Sequence, residues 1–262
     1  MADILTLVFR TFMSQTGRMK PPSPGPPPPA APSALLVGAR SVSGSVLLLA
    51  AVTAASQAGR RVVFFSPAQI QSLPGTLQRL GPNMSPQSLK KIQFFYPRTL
   101  AELLQQVAGL HEATGPSSTP PSLIIVDRLE SFLCSAGLHP GEQSCAAHLS
   151  ALLCDTAAFF SQVLEQRAPC SAPCRILASF QKEMDTGPAG GEASAADPIL
   201  NVLDRYFQTR CTLAQDSGYE AAAAGLQEVW HVYLSGTTDC EDVVQEWQLL
   251  ISPDGLMEFK WI

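Results

Sequence analysis

An α/β fold with a mainly parallel sheet is predicted for this 262-residue chain by three features of the sequence. Short apolar runs alternate with helix-length segments from residue 34 to residue 214. The first of these runs enters a glycine and then a long apolar helix, the outline of a strand–turn–helix phosphate-binding unit. The last three apolar runs follow one another with no helix between them. Alternation argues for parallel strands joined by crossover helices, and the terminal runs argue for an antiparallel edge grown onto that sheet.

Taken in order, residues 1–20 are mildly amphipathic and read as a disordered or loosely helical tail. Residues 21–33, "PPSPGPPPPAAPS", are a proline-rich linker that favours extended polyproline geometry. The folded domain is therefore expected to be a single unit over 34–262. "ALLVG" (34–38) is a buried strand by its continuous apolar run. Residues 45–59 form a helix stopped by Gly59. "RRVVFFS" (60–66) is a strand, rich in β-branched and aromatic residues. A short helix is expected over 85–92, with Ser85 as cap and Pro86 in the first turn. "QFFYP" (93–97) is a strand, 99–113 an amphipathic helix, "SLIIVD" (122–127) a strand and 142–167 a long helix. "CRILASF" (174–180) is a strand. Residues 197–207 form a helix capped by Asp197, and "RCTLA" (210–214) is a strand. Residues 228–235, 243–252 and 256–262 complete the sheet, the last two joined across "PDG", a strong hairpin turn.

Composition narrows the function. Apolar residues make up 46% of the chain, enough for a sizeable core, and the net charge is −5. No overall basic excess marks a nucleic-acid binder, so DNA contact would rest on a local patch or a partner. The seven cysteines contain no C-x-x-C, and Cys170 and Cys174 are not followed by histidines at zinc-finger spacing. They read as reduced thiols, and no zinc is expected in this chain. No uninterrupted apolar run reaches the ~18 residues of a membrane span, so no membrane role is expected.

The chemistry concentrates in "LLVGARSVSGSVLLL" (35–49). A phosphate loop, G-x-x-x-x-G-K-[ST], cradles phosphates with backbone N–H groups, while its lysine neutralises charge and its hydroxyl holds Mg²⁺. Laid over Gly38 to Ser45, the pattern puts Ser43 at the second glycine, Gly44 at the lysine, and Ser45 at the metal-binding hydroxyl. "LIIVD" supplies the apolar strand ending in an acid, with Asp127 as the metal-side carboxylate. The candidate nucleotide-binding residues are thus Gly38, Ser43, Gly44, Ser45 and Asp127, with Ser45 and Asp127 on Mg²⁺ if ATP is bound. The second strand ends "FFSPAQ", without an acid to activate water. Two catalytic parts are missing, so fold and activity separate here.

Five stretches carry a resemblance: "KKIQFFYPRTLAELL" (90–104), "SLIIVDRLESFL" (122–133), "LLCDTAAFFS" (152–161), "LDRYF" (203–207) and "EWQLLISPDGLME" (246–258). In these the chain resembles the family of SWIM-zinc-finger-associated proteins, divergent RecA-like recombinase paralogues that form the ATPase-like half of Shu-type complexes. The resemblance covers most of 34–262. It implies a RecA-like P-loop NTPase core and a nuclear role in homologous recombination repair of double-strand breaks. It further implies a SWIM-domain zinc protein as partner, and support of recombinase filaments and their paralogues on single-stranded DNA. The family loop is roughly G-x-P-G-S-G-K-T, from which residues 40–44 depart. Gln181 resembles the glutamine that senses the γ-phosphate, and 182–197 the DNA-contacting loop, although here that loop is net acidic. Arg60, Arg61, Lys90, Lys91 and Arg98 are the alternative DNA-facing cations. "FSPA" resembles a recombinase-type F-x-x-A segment, with Phe65 and Ala68 as the partner-binding pair. Two functions stay open: a scaffold with a degenerate nucleotide site, or an ATPase stimulated by single-stranded DNA, with Asp127 and Gln181 catalytic.

Overall fold

Continuous apolar strands that are buried on both faces must be covered by helices on both sides. The computed structural model shows this arrangement. It describes residues 4–14, 33–80, 85–112, 119–134, 141–168, 172–181, 197–216, 228–236 and 245–262. The elements in chain order are α1 (Ile4–Thr11), β1 (Ser33–Val37), α2 (Arg40–Ser56), β2 (Val62–Phe65), α3 (Gly75–Leu80), α4 (Pro86–Leu89) and β3 (Ile92–Phe95). They continue with α5 (Leu100–Ala108), β4 (Leu123–Val126), α6 (Glu130–Leu133), α7 (Glu142–Arg167), β5 (Arg175–Phe180), α8 (Pro198–Tyr206), β6 (Thr209–Gln215), β7 (Glu228–Gly236), β8 (Gln245–Ile251) and β9 (Met257–Trp261).

One nine-stranded sheet runs in the order β3-β2-β4-β5-β1-β6-β7-β8-β9. Pairings from β3 to β6 are parallel, and those from β6 to β9 are antiparallel. Strands β1, β2, β4 and β5 are buried along their whole length. One apolar core lies under α1 and α2, where Leu36, Phe64 and Ile125 meet Val46 and Leu49. The other lies under α5, α7 and α8, where Leu35, Val63 and Ile124 meet Leu103, Leu149 and Leu203. Alternate residues of each strand serve opposite cores, as the two-residue period requires.

The local signals act as the sequence predicts. The Asp197 carboxylate accepts from the Ile199 and Leu200 N–H groups at 2.9 and 3.2 Å, with Pro198 opening α8. Ser85 caps α4, which is shorter than the expected 85–92 helix. Thr99 caps α5 through the Glu102 N–H, while Glu102 Oε2 accepts from the Arg98 N–H. Gly255, at φ +75°, makes the β8–β9 hairpin turn. Helix α7 spans 142–167 as expected. By length and composition it could cross a membrane, but its Ala146–Leu149–Leu153–Ala157–Phe160 stripe is packed into the core instead.

The tail requires a correction. Residues 4–11 form a helix whose Ile4, Leu5, Val8 and Phe9 are buried. Phe9 stacks on Phe259 at 4.5 Å and lies 5.5 Å from Trp247. The Phe259 N–H donates to the Phe12 carbonyl and the Ser14 N–H to the Phe259 carbonyl, each at 2.8 Å. The i, i+1, i+4, i+5 spacing of these apolar residues is a helix face that needs a partner surface, and α2 together with Trp247 and Phe259 of the terminal strands supplies it. Of the two expectations for this tail, disordered or loosely helical, residues 4–11 follow the helical one, and residues 4–14 pack onto the folded domain. Residues 15–32, which hold the end of the tail and the linker expected over 21–33 except Ser33, lie outside the described residues, and Ser33 opens β1.

Candidate functional site at the carboxyl edge of the sheet

In open parallel sheets, ligands bind beyond the carboxyl ends of the strands, where neighbouring crossovers diverge. Here that place lies beyond β1, β4 and β5, and it gathers Gly38, Asp127 and Gln181. The expected strand–turn–helix unit is present, since β1 leads through Gly38 and Ala39 into α2. The turn, however, has only two residues. Helix α2 begins at Arg40, not near Ser45. The Ser43 N–H donates to the Ala39 carbonyl at 3.0 Å, and the Ser45 hydroxyl donates to the Ser41 carbonyl at 2.9 Å. N–H groups that a phosphate loop would direct at an anion are used up inside the helix, which leaves only first-turn donors. Glycine at 38 is dictated by close packing, because a Cβ there would stand 2.6 Å from the Leu213 Cβ.

Asp127 follows β4, and its side chain is held by three residues. Oδ1 accepts from the Ser179 hydroxyl at 3.0 Å. Oδ2 accepts from the Ser66 hydroxyl and from Arg128 Nε, each at 3.2 Å. Arg128 Nη2 reaches Ser66 Oγ at 3.4 Å, and the Arg128 backbone N–H donates to Ser179 Oγ at 2.8 Å. Asp127, Arg128, Ser66 and Ser179 are all buried. To aim its guanidinium backwards, Arg128 adopts φ +60°, a left-handed conformation that costs a β-carbon-bearing residue about 1 kcal/mol or more. The closed polar ring around Asp127 offsets that cost, because a buried carboxylate without partners is costlier still.

Burial pushes the Asp127 carboxyl above its ordinary range. The hydroxyls of Ser179 and Ser66, and the charge of Arg40, pull the other way without cancelling it. Glu130, at the start of α6, is also raised by burial, even though its Oε2 accepts from the Gln181 backbone N–H at 3.0 Å. Two carboxyls and two guanidinium groups, Arg40 and Arg128, thus share this edge.

Of the expected nucleotide residues, Gly44 and Asp127 are brought together, while Gly38 packs against Leu213 and its N–H donates to the Phe180 carbonyl. The Gly44 Cβ direction ends 3.8 Å from Asp127 Oδ1. The Ser45 hydroxyl donates to the Ser41 carbonyl one turn back in α2 rather than to Asp127. Ser43 is buried in α2, and its hydroxyl has no partner among the described residues. Gln181 stands at the end of β5, exposed, and its backbone rather than its side chain contacts Glu130. No group of three His, Cys, Asp or Glu able to hold a metal ion occurs among the described residues. A Mg²⁺-nucleotide does not fit these residues as they stand, since no cradle is open and the strand-end acid is already paired. The acidic segment 182–196 lies outside the described residues. The F-x-x-A pair is corrected by burial. Phe65 is fully buried in β2 and stacks on Phe95 at 5.3 Å, so it has no side chain to offer a partner.

Reading the sequence did not find Arg128, Ser66, Ser179 or Glu130. The signal was present: Ser66 directly follows β2 and Ser179 lies in the last two residues of β5, the strands on either side of β4, and an arginine directly follows its acid.

No family model matches the chain. It is 37% identical over 195 residues to mouse ATPase SWSAP1, covering 74% of this chain and 63% of that protein, so it spans under two thirds of that relative's length. It is 36% identical over 186 residues to human ATPase SWSAP1, covering 70% and 72%. Among solved structures it resembles the KaiC-like protein PH0186 of Pyrococcus horikoshii, with a TM-score of 0.54, 9% identity, and 87% and 88% of the two chains aligned. A second solved ATPase domain aligns with the same TM-score of 0.54 at 11% identity, over 88% and 85%. These two likenesses fix the fold as that of RecA-like P-loop ATPase domains. With relatives at this identity and coverage, the chain belongs to the SWSAP1 ATPase family and carries a RecA-like fold.

Proposed function

We propose that this chain is a nuclear, RecA-paralogue subunit that supports homologous recombination repair of double-strand breaks. In this reading it pairs with a SWIM-domain zinc protein and assists a strand-exchange recombinase on single-stranded DNA. Its nucleotide site serves as a structural remnant. One observation carries the reading: a RecA-like frame whose phosphate turn is closed into α2 and whose strand-end acid is held by Arg128, Ser66 and Ser179. Phosphoryl transfer depends on positioned charge, and a closed frame of this kind suits a scaffold.

Two measurements test it. Fluorescent ATP should show no saturable binding up to millimolar concentration, while the chain co-purifies with a SWIM-domain protein under native conditions. Saturable ATP binding that disappears in Asp127→Ala would replace the scaffold reading. The second reading, an ATPase stimulated by single-stranded DNA, is favoured by one feature: Arg40 projects its charge onto Asp127 and Glu130. In that reading Arg40 takes over from the missing lysine, and α2 unwinds to open the turn. Failure to recover any SWIM-domain partner would remove the assigned role and leave the fold untouched.

A further inference from the structure

The sheet ends on one side at β3, and three observations meet there. The first is charge. Between Asp3 and Glu102 the chain has no acidic residue and ten Lys or Arg, whereas residues 102–262 carry 21 acids against seven cations. A negative net charge therefore hides a strongly basic first third, and such asymmetry points to a polyanion. The second is a cleft. Gly59, Arg61, Lys90, Lys91, Gln93 and Thr119 line an open hollow of about 510 Å³ at the amino end of β2 and β3. Arg61 is oriented there by donating to the Thr119 carbonyl at 2.7 Å and to Gln93 Oε1 at 3.3 Å, and Lys91 Nζ donates to the Gly59 carbonyl at 3.3 Å.

The third is aromatic. Phe94 and Tyr96 are 38% and 37% exposed, on the α2 side of the edge strand, where Phe94 also touches Phe64. Their rings lie parallel within 5°, with centroids 6.4 Å apart. That separation matches two residues of strand, about 6.6 Å. Core packing does not need both rings at the surface, and edge strands usually carry charge rather than flat apolar faces. Cations that track a backbone beside aromatic faces are the two components of single-strand binding. Arg98, exposed beyond Tyr96, continues the row of cations.

We infer that a single-stranded nucleic acid binds along the β3 edge. Its phosphates lie on Arg61, Lys90, Lys91 and Arg98, and its bases stack on Phe94 and Tyr96. The inference deepens the reading above by placing the DNA surface, and it draws on that reading only for the biological source of the strand. The binding surface is the basic, aromatic edge, not the acidic segment after Gln181.

The test is fluorescence anisotropy of the full chain with labelled oligothymidylate, with oligouridylate and an abasic strand as parallel probes. Lys90→Glu/Lys91→Glu should weaken binding to all probes by tenfold or more. It should also reduce the slope of log affinity against log salt by about 1.4, at roughly 0.7 per single-strand phosphate contact. Tyr96→Ala should weaken oligothymidylate on the order of tenfold, as expected for one lost stacking platform, and leave the abasic strand unchanged. Both sites are exposed, and unchanged thermal melting of each variant verifies folding. Absence of binding at low salt overturns the proposal, as does an unchanged salt slope in the double variant. If charge reversal spares the oligonucleotide but abolishes recovery of the SWIM-domain protein, the edge is a protein-docking strand and the proposal falls. Loss of that partner from the wild-type chain would sink the proposed function but not this surface.

Discussion

The carboxyl edge of the sheet and its β3 edge contrast in almost every physical respect. The first is where a RecA-like fold places its nucleotide, and here it is closed and self-satisfied. Asp127, Arg128, Ser66 and Ser179 are buried and bonded to one another. The second has no dedicated place in the phosphate chemistry, yet it is open, basic and lined by parallel aromatic rings. Polar side chains here bond to one another beyond the strand ends, while basic and aromatic side chains lie exposed on a strand edge. What separates the two is burial: the groups around Asp127 are closed off from solvent, whereas Lys90, Lys91, Phe94 and Tyr96 at the β3 edge are exposed.

The largest expected effect lies at the closed site. Arg128→Ala leaves the Asp127 carboxylate buried without its cation, a change that costs about 3–5 kcal/mol in comparable buried pairs. Thermal melting should drop by on the order of 10 °C. The double variant Asp127→Asn/Arg128→Ala should recover part of that loss. A melting temperature unchanged in Arg128→Ala would show that the ring is not structural and would break the contrast with the β3 edge.

A smaller effect is expected at Gly38→Ala. The new methyl would have to displace Leu213 on β6, an overpacking that costs about 1–3 kcal/mol. Urea unfolding should show a lower midpoint with an unchanged slope. A neutral result would mean that the β1–α2 turn can shift, and it would strengthen the reading in which that turn opens for ATP.

The smallest effect concerns pH. Asp127 and Glu130 both have carboxyls raised by burial, so the folded state holds their protons more tightly than the unfolded chain does. Their contribution to stability is therefore greatest at low pH. It is lost as pH rises from the ordinary carboxyl values of 3.8 and 4.5 through the raised folded values. Glu130→Gln should flatten the melting-temperature profile across that window and leave neutral-pH folding intact. A profile that the substitution does not change would take burial of Glu130 out of the contrast between the two edges.

Much of the fold was legible in the residues themselves. Continuous apolar runs marked the parallel strands, Asp197-Pro198 and Ser85-Pro86 marked helix starts, and "PDG" marked the terminal hairpin. The packing of residues 4–14 was missed because a short amphipathic helix is only marginally stable by itself, and its partners Trp247 and Phe259 lie at the far end of the chain. The candidate site was half legible. Gly38 and Asp127 showed as local motifs, but the partners of Asp127 come from three separate strand ends. The charge division at Glu102 was readable and was lost in the average.

The sequence alone determined the sheet strands and the capped helices α4, α5 and α8, because periodicity, caps and turn residues act over a few neighbours. It also determined that no lysine occupies the phosphate turn. Only the tertiary structure decided that the turn is closed, that Arg128 pairs with the strand-end acid, and that Phe94 and Tyr96 face solvent on an edge. Those outcomes depend on which strands become neighbours, and strand order is set by burial across the whole sheet rather than by any local stretch of chain.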